Sequence, residues 1–238
     1  MTQAQRDHDM IEPFRRRSAG DVRRDAAEPV VPDFAPWSMK ARRALDLAVA
    51  VPTLVVSAPL WCVVAVAIKA TSPGPVLFRQ KRVGQHGALF EVLKFRSMRI
   101  GTDDEVRNCD VQRQAYVDND FKLDRSDPRI TPVGRWIRKL SIDELPQLVN
   151  VLRREMSIVG IRPLLPDELD LRPEFDRLCY AQLKPGITGL WQVAGRSAVS
   201  NIDRWALDRS YVENWSLRRD VSIVLRTPLA IARTKMTH

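Results

Sequence analysis

The chain has 238 residues, 38 Lys and Arg against 29 Asp and Glu for a net charge of +9, and 45% apolar residues. That length suits one domain with appendages, and the composition excludes both a disordered polyelectrolyte and a polytopic membrane protein. Cys62, Cys109 and Cys179 lie far apart and match no zinc spacing, which argues against a disulfide scaffold or structural metal; with only His8, His86 and His238 present, the chemistry falls to carboxylates and cations.

Residues 1–39 carry Arg15, Arg16, Arg17, Arg23 and Arg24 among prolines at 13, 29, 32 and 36, with no apolar periodicity. They read as a disordered basic tail rather than a secretory signal, because the apolar run begins only at Leu47. Such a tail suits anionic lipids better than nucleic acid, and no nucleic-acid partner is expected.

Residues 40–69 form the membrane segment. Leu47 to Ile68 is a run of 22 uncharged residues, roughly 33 Å as a straight helix against a hydrocarbon layer of ~30 Å. Length alone therefore allows a spanning helix, and a buried core helix is a further alternative. Pro52 and Pro59 interrupt the run, and a break at Pro59 leaves arms of 12 and 10 residues, each about half the layer. Arg42 and Arg43 flank one end while Lys69, Arg79, Lys81 and Arg82 flank the other, so both ends favour the cytoplasmic face. The favoured reading is a re-entrant helix-break-helix hairpin, with Trp37 or Trp61 as an interfacial anchor. Asp46, at its mouth, reads equally as a functional group or as a partner of Arg42 or Arg43.

The remainder, 70–238, reads as a cytoplasmic domain. A Ser-Pro-Gly-Pro turn at 72–75 precedes apolar segments at 76–78 and 89–95 around a Gly84–Gly87 turn, which predicts a β-hairpin. It ends in Lys-Phe-Arg-Ser-Met (94–98), with Lys94 and Arg96 on one side of an extended strand. Residues 100–127 are polar and predict a solvated loop or surface helix. Residues 133–140, Val-Gly-Arg-Trp-Ile-Arg-Lys-Leu, predict a basic amphipathic helix suited to an anionic interface. Ser141-Ile-Asp-Glu matches a capping box and predicts a helix over 143–152. The aromatics Trp205, Tyr211 and Trp215 predict packing in C-terminal helices rather than a ligand platform. The fold class expected is mainly α, with a small β-hairpin and amphipathic interface helices on a monotopic membrane protein.

Spacing alone is satisfied if Ser141, Asp143 and Glu144 only cap a helix. An acidic pair at a helix start near Arg138, Lys139, Arg153, Arg154 and Arg162 also has the parts for phosphoryl chemistry, lacking only a divalent cation to offset the charges. No Walker or dinucleotide glycine motif occurs.

Six segments, in order, carry a resemblance. They are Arg-Arg-Ala-Leu-Asp (42–46), Gly-Pro-Val-Leu-Phe-Arg-Gln-Lys-Arg-Val-Gly (74–84), Lys-Phe-Arg-Ser-Met (94–98), Leu-Ser-Ile-Asp-Glu-Leu-Pro-Gln-Leu-Val-Asn-Val-Leu (140–152), Met-Ser-Ile-Val-Gly-Ile-Arg-Pro-Leu-Leu (156–165) and Lys-Pro-Gly-Ile-Thr-Gly-Leu-Trp-Gln-Val-Ala-Gly-Arg-Ser (184–197). Together the sequence resembles the bacterial sugar transferases, the monotopic polyprenyl-phosphate phosphoglycosyl transferases in their small, catalytic-domain form. It departs from the family at Ala58-Pro59, where Ser-Pro is common, and at Ala194, where Asn is frequent.

The resemblance implies transfer of a sugar-1-phosphate, a hexose-1-phosphate by preference, from a UDP-sugar to polyprenyl (undecaprenyl) phosphate at the cytoplasmic face of the inner membrane. Asp143 would be the nucleophile and the Mg²⁺ ligand, Glu144 its catalytic neighbour, and UMP the product of the first step. Lys94, Arg138 and Arg162 match phosphate-holding positions, and Gln192 and Arg196 would border the nucleotide. The product would initiate exopolysaccharide, capsule or other glycoconjugate synthesis. The competing reading is a non-catalytic, membrane-attached basic scaffold of a polysaccharide assembly complex. A homo-oligomer is left open.

Overall fold

The computed structural model describes residues 34–119, 124, 126–194 and 201–236. The expected basic tail up to residue 33, and Arg196, lie outside the described residues.

Helix α1 spans Pro36–Thr71, starting four residues before the expected boundary. Its first residue is a proline, placed where the missing N–H had no helical partner to lose. The break expected at Pro59 does not interrupt it: helical backbone continues through both Pro52 and Pro59. Hydroxyl groups bond back within this stretch, Thr53 to the Val49 carbonyl at 2.7 Å and Ser57 to the Leu54 carbonyl at 3.3 Å. By length and composition the helix could cross a membrane. Its faces differ sharply. Ala50, Val64 and Ile68 are fully buried, whereas Val55, Val56, Val63 and Val66 are exposed.

The predicted hairpin is present, as antiparallel strands β1 (Leu77–Val83) and β2 (Leu89–Phe95) joined through a 3₁₀ turn at Gln85–Gly87. The polar stretch after it forms two short helices, α2 (Thr102–Asn108) and α3 (Asp110–Asp118). Helix α4 (Pro132–Lys139) matches the predicted amphipathic helix, with Gly134 and Ile137 buried and Trp136 exposed. Thr131 caps it by accepting from Gly134 N at 2.9 Å. Gly134 lies so close to the Ser97 carbonyl that a Cβ there would come within 1.9 Å of it. A side chain at this position would push α4 away from the end of β2.

After a 3₁₀ turn at Ile142–Glu144 come α5 (Gln147–Leu152), β3 (Ser157–Val159), α6 (Pro166–Asp170), α7 (Glu174–Gln182) and β4 (Gly186–Thr188). Strands β3 and β4 pair in parallel. Helices α8 (Leu190–Val193), α9 (Asn201–Glu213) and α10 (Leu217–Met236) complete the chain. The main core joins Val83, Val92, Val151, Met156, Val159 and Tyr211 to Ala50 of α1. A second core of Val64, Ile68, Phe95 and Ile137 joins the other half of α1 to β2 and α4.

Polar contacts fasten α1 as firmly as the apolar ones. Asp46 does not pair with Arg42 or Arg43 as the sequence suggested; its Oδ1 accepts from Ser157 Oγ and Ile158 N, both at 2.7 Å, so β3 takes it instead. Arg42 donates to the Val159 carbonyl at 2.7 Å and pairs with Asp220 of α10 at 3.4 Å, in a setting where both side chains are almost fully buried. The same Asp220 accepts from Tyr211 Oη at 2.7 Å and Trp215 Nε1 at 3.0 Å. Tyr211 and Trp215 are therefore packing residues, as expected. Arg43 donates to the carbonyls of Val151 and Leu152 at 2.6 and 3.0 Å, capping the C-terminus of α5.

Candidate active site

The site begins with two elements that carry charge to one place. Strand β2 delivers Lys94, and α4 delivers Arg138 in its last turn. Between them the chain reverses at Ser141, whose φ of 58° lies in the left-handed region, unusual for a residue with a Cβ. The 3₁₀ turn Ile142–Glu144 follows, with Asp143 buried and Glu144 half-buried.

This local structure corrects the expected helix. No Ser141 side-chain cap forms and there is no continuous helix over 143–152. Pro146 has no N–H to bond the Ile142 carbonyl. The backbone instead runs on three-residue bonds, Leu145 N to Ile142 O at 3.1 Å and Leu148 N to Leu145 O at 3.0 Å, before the α-helix starts at Gln147. Glu144, released from the capping role, accepts from Lys94 Nζ at 3.0 Å.

Asn150 locks the strand and the turn to each other. It is fully buried on α5; its Oδ1 accepts from Leu93 N at 3.0 Å, and its Nδ2 donates to Glu91 O and Glu155 Oε2, both at 2.7 Å. These bonds set the position of Lys94 against the Asp143 turn. Asn150→Ala strips the buried Leu93 N–H of its acceptor and removes two part-buried bonds, to Glu91 O and Glu155, and is expected to destabilise the protein by about 1–3 kcal/mol; thermal unfolding of the purified protein measures this.

The electrostatics single out Asp143. Burial, and then the neighbouring Glu144 carboxylate, push its pKa up to about 6, while Lys94 and Arg138 pull it back. Among the described residues no Lys or Arg forms a direct ion pair with Asp143. The result is a shielded carboxylate beside two cations, next to a second carboxylate that one of those cations already holds.

The other expected site residues divide. Arg162 pairs with Glu168 at 3.9 Å, the same carboxylate that Arg82 contacts at 3.5 Å. Gln192 is buried on α8, where its Oε1 has no partner among the described residues and a Cβ on Gly189 would come within 2.7 Å of it. It shares its helix with Trp191, which packs with Ala194 and Leu207 in a small core of its own. Arg96 separates from Lys94: it donates to the carbonyls of Pro73 and Ser72 and fastens the end of α1. The sequence reading missed Asn150 and Arg43, although an Asn inside an apolar helical stripe and a doubled arginine before the apolar run were visible signals.

The model of the family described as bacterial sugar transferase matches residues 37–234. The chain belongs to the bacterial sugar transferase family. Within the family, it is 41% identical over 201 residues to the undecaprenyl-phosphate galactose phosphotransferase of Salmonella typhimurium, covering 81% of this chain and 40% of that one. It is 39% identical over 201 residues to the exopolysaccharide production protein ExoY of Sinorhizobium fredii, covering 83% and 88%. The UDP-glucose:undecaprenyl-phosphate glucose-1-phosphate transferase of Caulobacter vibrioides is 42% identical over 202 residues, covering 81% and 70%. The chain thus spans less than half of the Salmonella relative and most of ExoY.

Proposed function

We propose that the protein transfers a sugar-1-phosphate from a UDP-sugar to undecaprenyl phosphate and releases UMP. The observation that carries this is Asp143: a buried carboxylate at a turn, flanked by Lys94 and Arg138, inside a chain that the family model matches almost throughout. A carboxylate oxygen of Asp143 attacks the sugar-bearing phosphorus, the bond to the bridging oxygen breaks, and UMP departs with that oxygen. An oxygen of the lipid phosphate then attacks the same phosphorus and frees the carboxylate. Lys94 and Arg138 offset charge on the phosphates during both displacements. Glu144 holds Lys94 in place until substrate arrives. Relatives named for galactose and for glucose transfer support a hexose as the sugar.

Asp143 and Glu144 would hold a Mg²⁺ ion. Among the described residues no cluster of three or more acidic, His or Cys side chains gathers, so the protein offers a sparse donor set. That suits Mg²⁺, which keeps several waters and takes one or two carboxylates plus substrate phosphates. When bound, the ion neutralises phosphate charge. Chelation with EDTA is expected to stop UMP release, and added Mg²⁺ to restore it.

The re-entrant placement of α1 rests on its two fastened ends. Arg42, Asp46 and Ala50 pack on the domain at one end, and Val64 and Ile68 pack on it at the other. From Ala50 to Ile68 a straight helix covers about 27 Å, close to the ~30 Å hydrocarbon layer. A spanning α1 would carry one set of these contacts across the membrane, away from the domain. The helix therefore dips into one leaflet from the cytoplasmic face of the inner membrane, bending in the stretch that holds its prolines. Exposed Val55 and Val56 enter the lipid, and Arg135 and Trp136 of α4 meet the anionic surface.

The decisive experiment supplies UDP-glucose labelled in its β-phosphate, Mg²⁺ and no lipid acceptor. Label is expected to appear on the protein at Asp143 and to pass to undecaprenyl phosphate when that is added. Asp143→Asn with unchanged turnover would falsify the mechanism.

A further inference from the structure

We propose that the second half of the membrane helix, residues 60–68, is a positioning element for the transfer reaction, with Trp61 as its principal side chain. The inference rests on the reaction proposed above. It assigns this half of α1 a role separate from attachment to the membrane.

The observation is where the second core lies. Trp61, Val64 and Ile68 pack together with Phe95, Ile137, Ile142 and Leu145. Each of the latter four is a chain neighbour of a site residue: Phe95 of Lys94, Ile137 of Arg138, and Ile142 and Leu145 of the pair Asp143 and Glu144. Three separate elements, β2, α4 and the 3₁₀ turn, therefore share one apolar cluster with this strip of the membrane helix. Val76 and Leu77, at the start of β1, join the same cluster. A displacement of the strip would move Lys94, Arg138 and Asp143 relative to one another, while a shift of any single element would move only one of them.

Trp61 sits at the centre of this arrangement. Its ring meets the edge of Phe95 at 5.2 Å between centroids, in a T-shaped contact at 73°. Its indole Nε1 is buried and has no hydrogen-bond partner among the described residues. The side chain thus acts through the shape of its ring and not through its N–H, and it is turned into the fold rather than anchoring at the interface. The opposite side of the same half-helix, at Val63 and Val66, is exposed and is free to meet lipid. Attachment and positioning are therefore on different faces of α1.

The test uses full-length protein in nanodiscs of stated anionic lipid content, with UDP-glucose in excess over enzyme and no lipid acceptor, so that each active enzyme releases one UMP. The amplitude then reports the fraction of folded enzyme, and the rate constant reports the geometry of the site. Trp61→Leu is expected to slow the rate constant by about tenfold to a hundredfold, the range a small misplacement of reacting groups produces. Its amplitude, nanodisc retention and thermal midpoint should stay close to wild type. Trp61→Phe should retain most of the rate, since a ring remains and no N–H bond is lost. If Trp61→Leu does not fold, Val64→Ala takes its place and should slow the same rate constant. An unchanged rate constant in the folded variant, or a loss seen only in amplitude or membrane retention, overturns the proposal. Absence of UMP release from the wild-type enzyme would instead overturn the transfer reaction on which it rests.

Discussion

Asp143→Asn is expected to abolish sugar-phosphate transfer and at the same time to make the protein more stable. Loss of a covalent nucleophile removes at least on the order of a thousandfold in rate. The gain in stability follows from the raised pKa. Asp143 has a pKa of about 6 in the fold, from burial first and Glu144 second, against an ordinary value of 3.8. The folded state therefore binds this proton more tightly than the unfolded chain does. Its contribution favours the fold below pH 3.8 and is lost as the pH rises through about 6, so at pH 7 an ionised Asp143 opposes folding. At ~1.4 kcal/mol per unit the penalty is on the order of 1–3 kcal/mol. A neutral amide of the same shape avoids it, and the thermal midpoint should rise by several °C when measured with EDTA present. The wild type should also gain stability between about pH 7 and pH 4, and Asp143→Asn should gain less over that range. A lower midpoint for the variant at pH 7 would show that the carboxylate is stabilising, and the account of the site would fail.

The contrast with Asp208 sharpens this. Its pKa is also raised to about 6, chiefly by burial, but it pairs with Arg172 at 2.9 Å and both side chains are almost completely buried. Neutralising Asp208 would strand a buried guanidinium, so the same substitution there is destabilising. Two carboxylates with similar titration differ in whether a cation is bound directly. The one without a direct cation partner is the one proposed above as the nucleophile.

The second large effect is expected at Asp220. Asp220→Ala leaves Arg42 buried and removes the acceptor of the Tyr211 hydroxyl and the Trp215 indole. Breaking one partner of a buried pair costs about 3–5 kcal/mol, enough to unfold many domains near 37 °C. The double variant Arg42→Met with Asp220→Leu should recover most of that loss, because it removes both charges instead of isolating one. Thermal unfolding of the two variants in nanodiscs separates these outcomes. A change below about 1 kcal/mol for Asp220→Ala alone would mean that the pair does not hold α10 to the membrane helix.

Much of this was legible in the sequence, for identifiable reasons. The β1–β2 hairpin was visible because its apolar runs flank a Gly84–Gly87 turn, and α4 because its basic and apolar residues alternate at helical spacing. The acidic pair Asp143 and Glu144 stands out in the sequence through the basic residues around it. Its local structure was misread, because the Ser-x-x-Glu pattern is local while the outcome was decided by Pro146 and by a lysine 50 residues away. The sequence offers Asp46 either a functional role or the nearby Arg42 and Arg43, but a backbone N–H and a hydroxyl on β3, more than 100 residues distant, hold it instead. Long-range partners of this kind leave no periodic trace.

The burial of Ala50, Val64 and Ile68 has a consequence for the idea that a membrane enzyme is a soluble catalyst with a detachable anchor. The sequence divides neatly at residue 69, and a truncation there would look like a clean domain boundary. In the fold that cut would remove apolar side chains from both cores, together with the caps that Arg43 and Asp46 place on α5 and β3. Neither a lipid tail nor an unrelated transmembrane segment could substitute for α1, since neither would supply those side chains. Helix α1 and the turn that carries Asp143 must be expressed and solubilised as one unit.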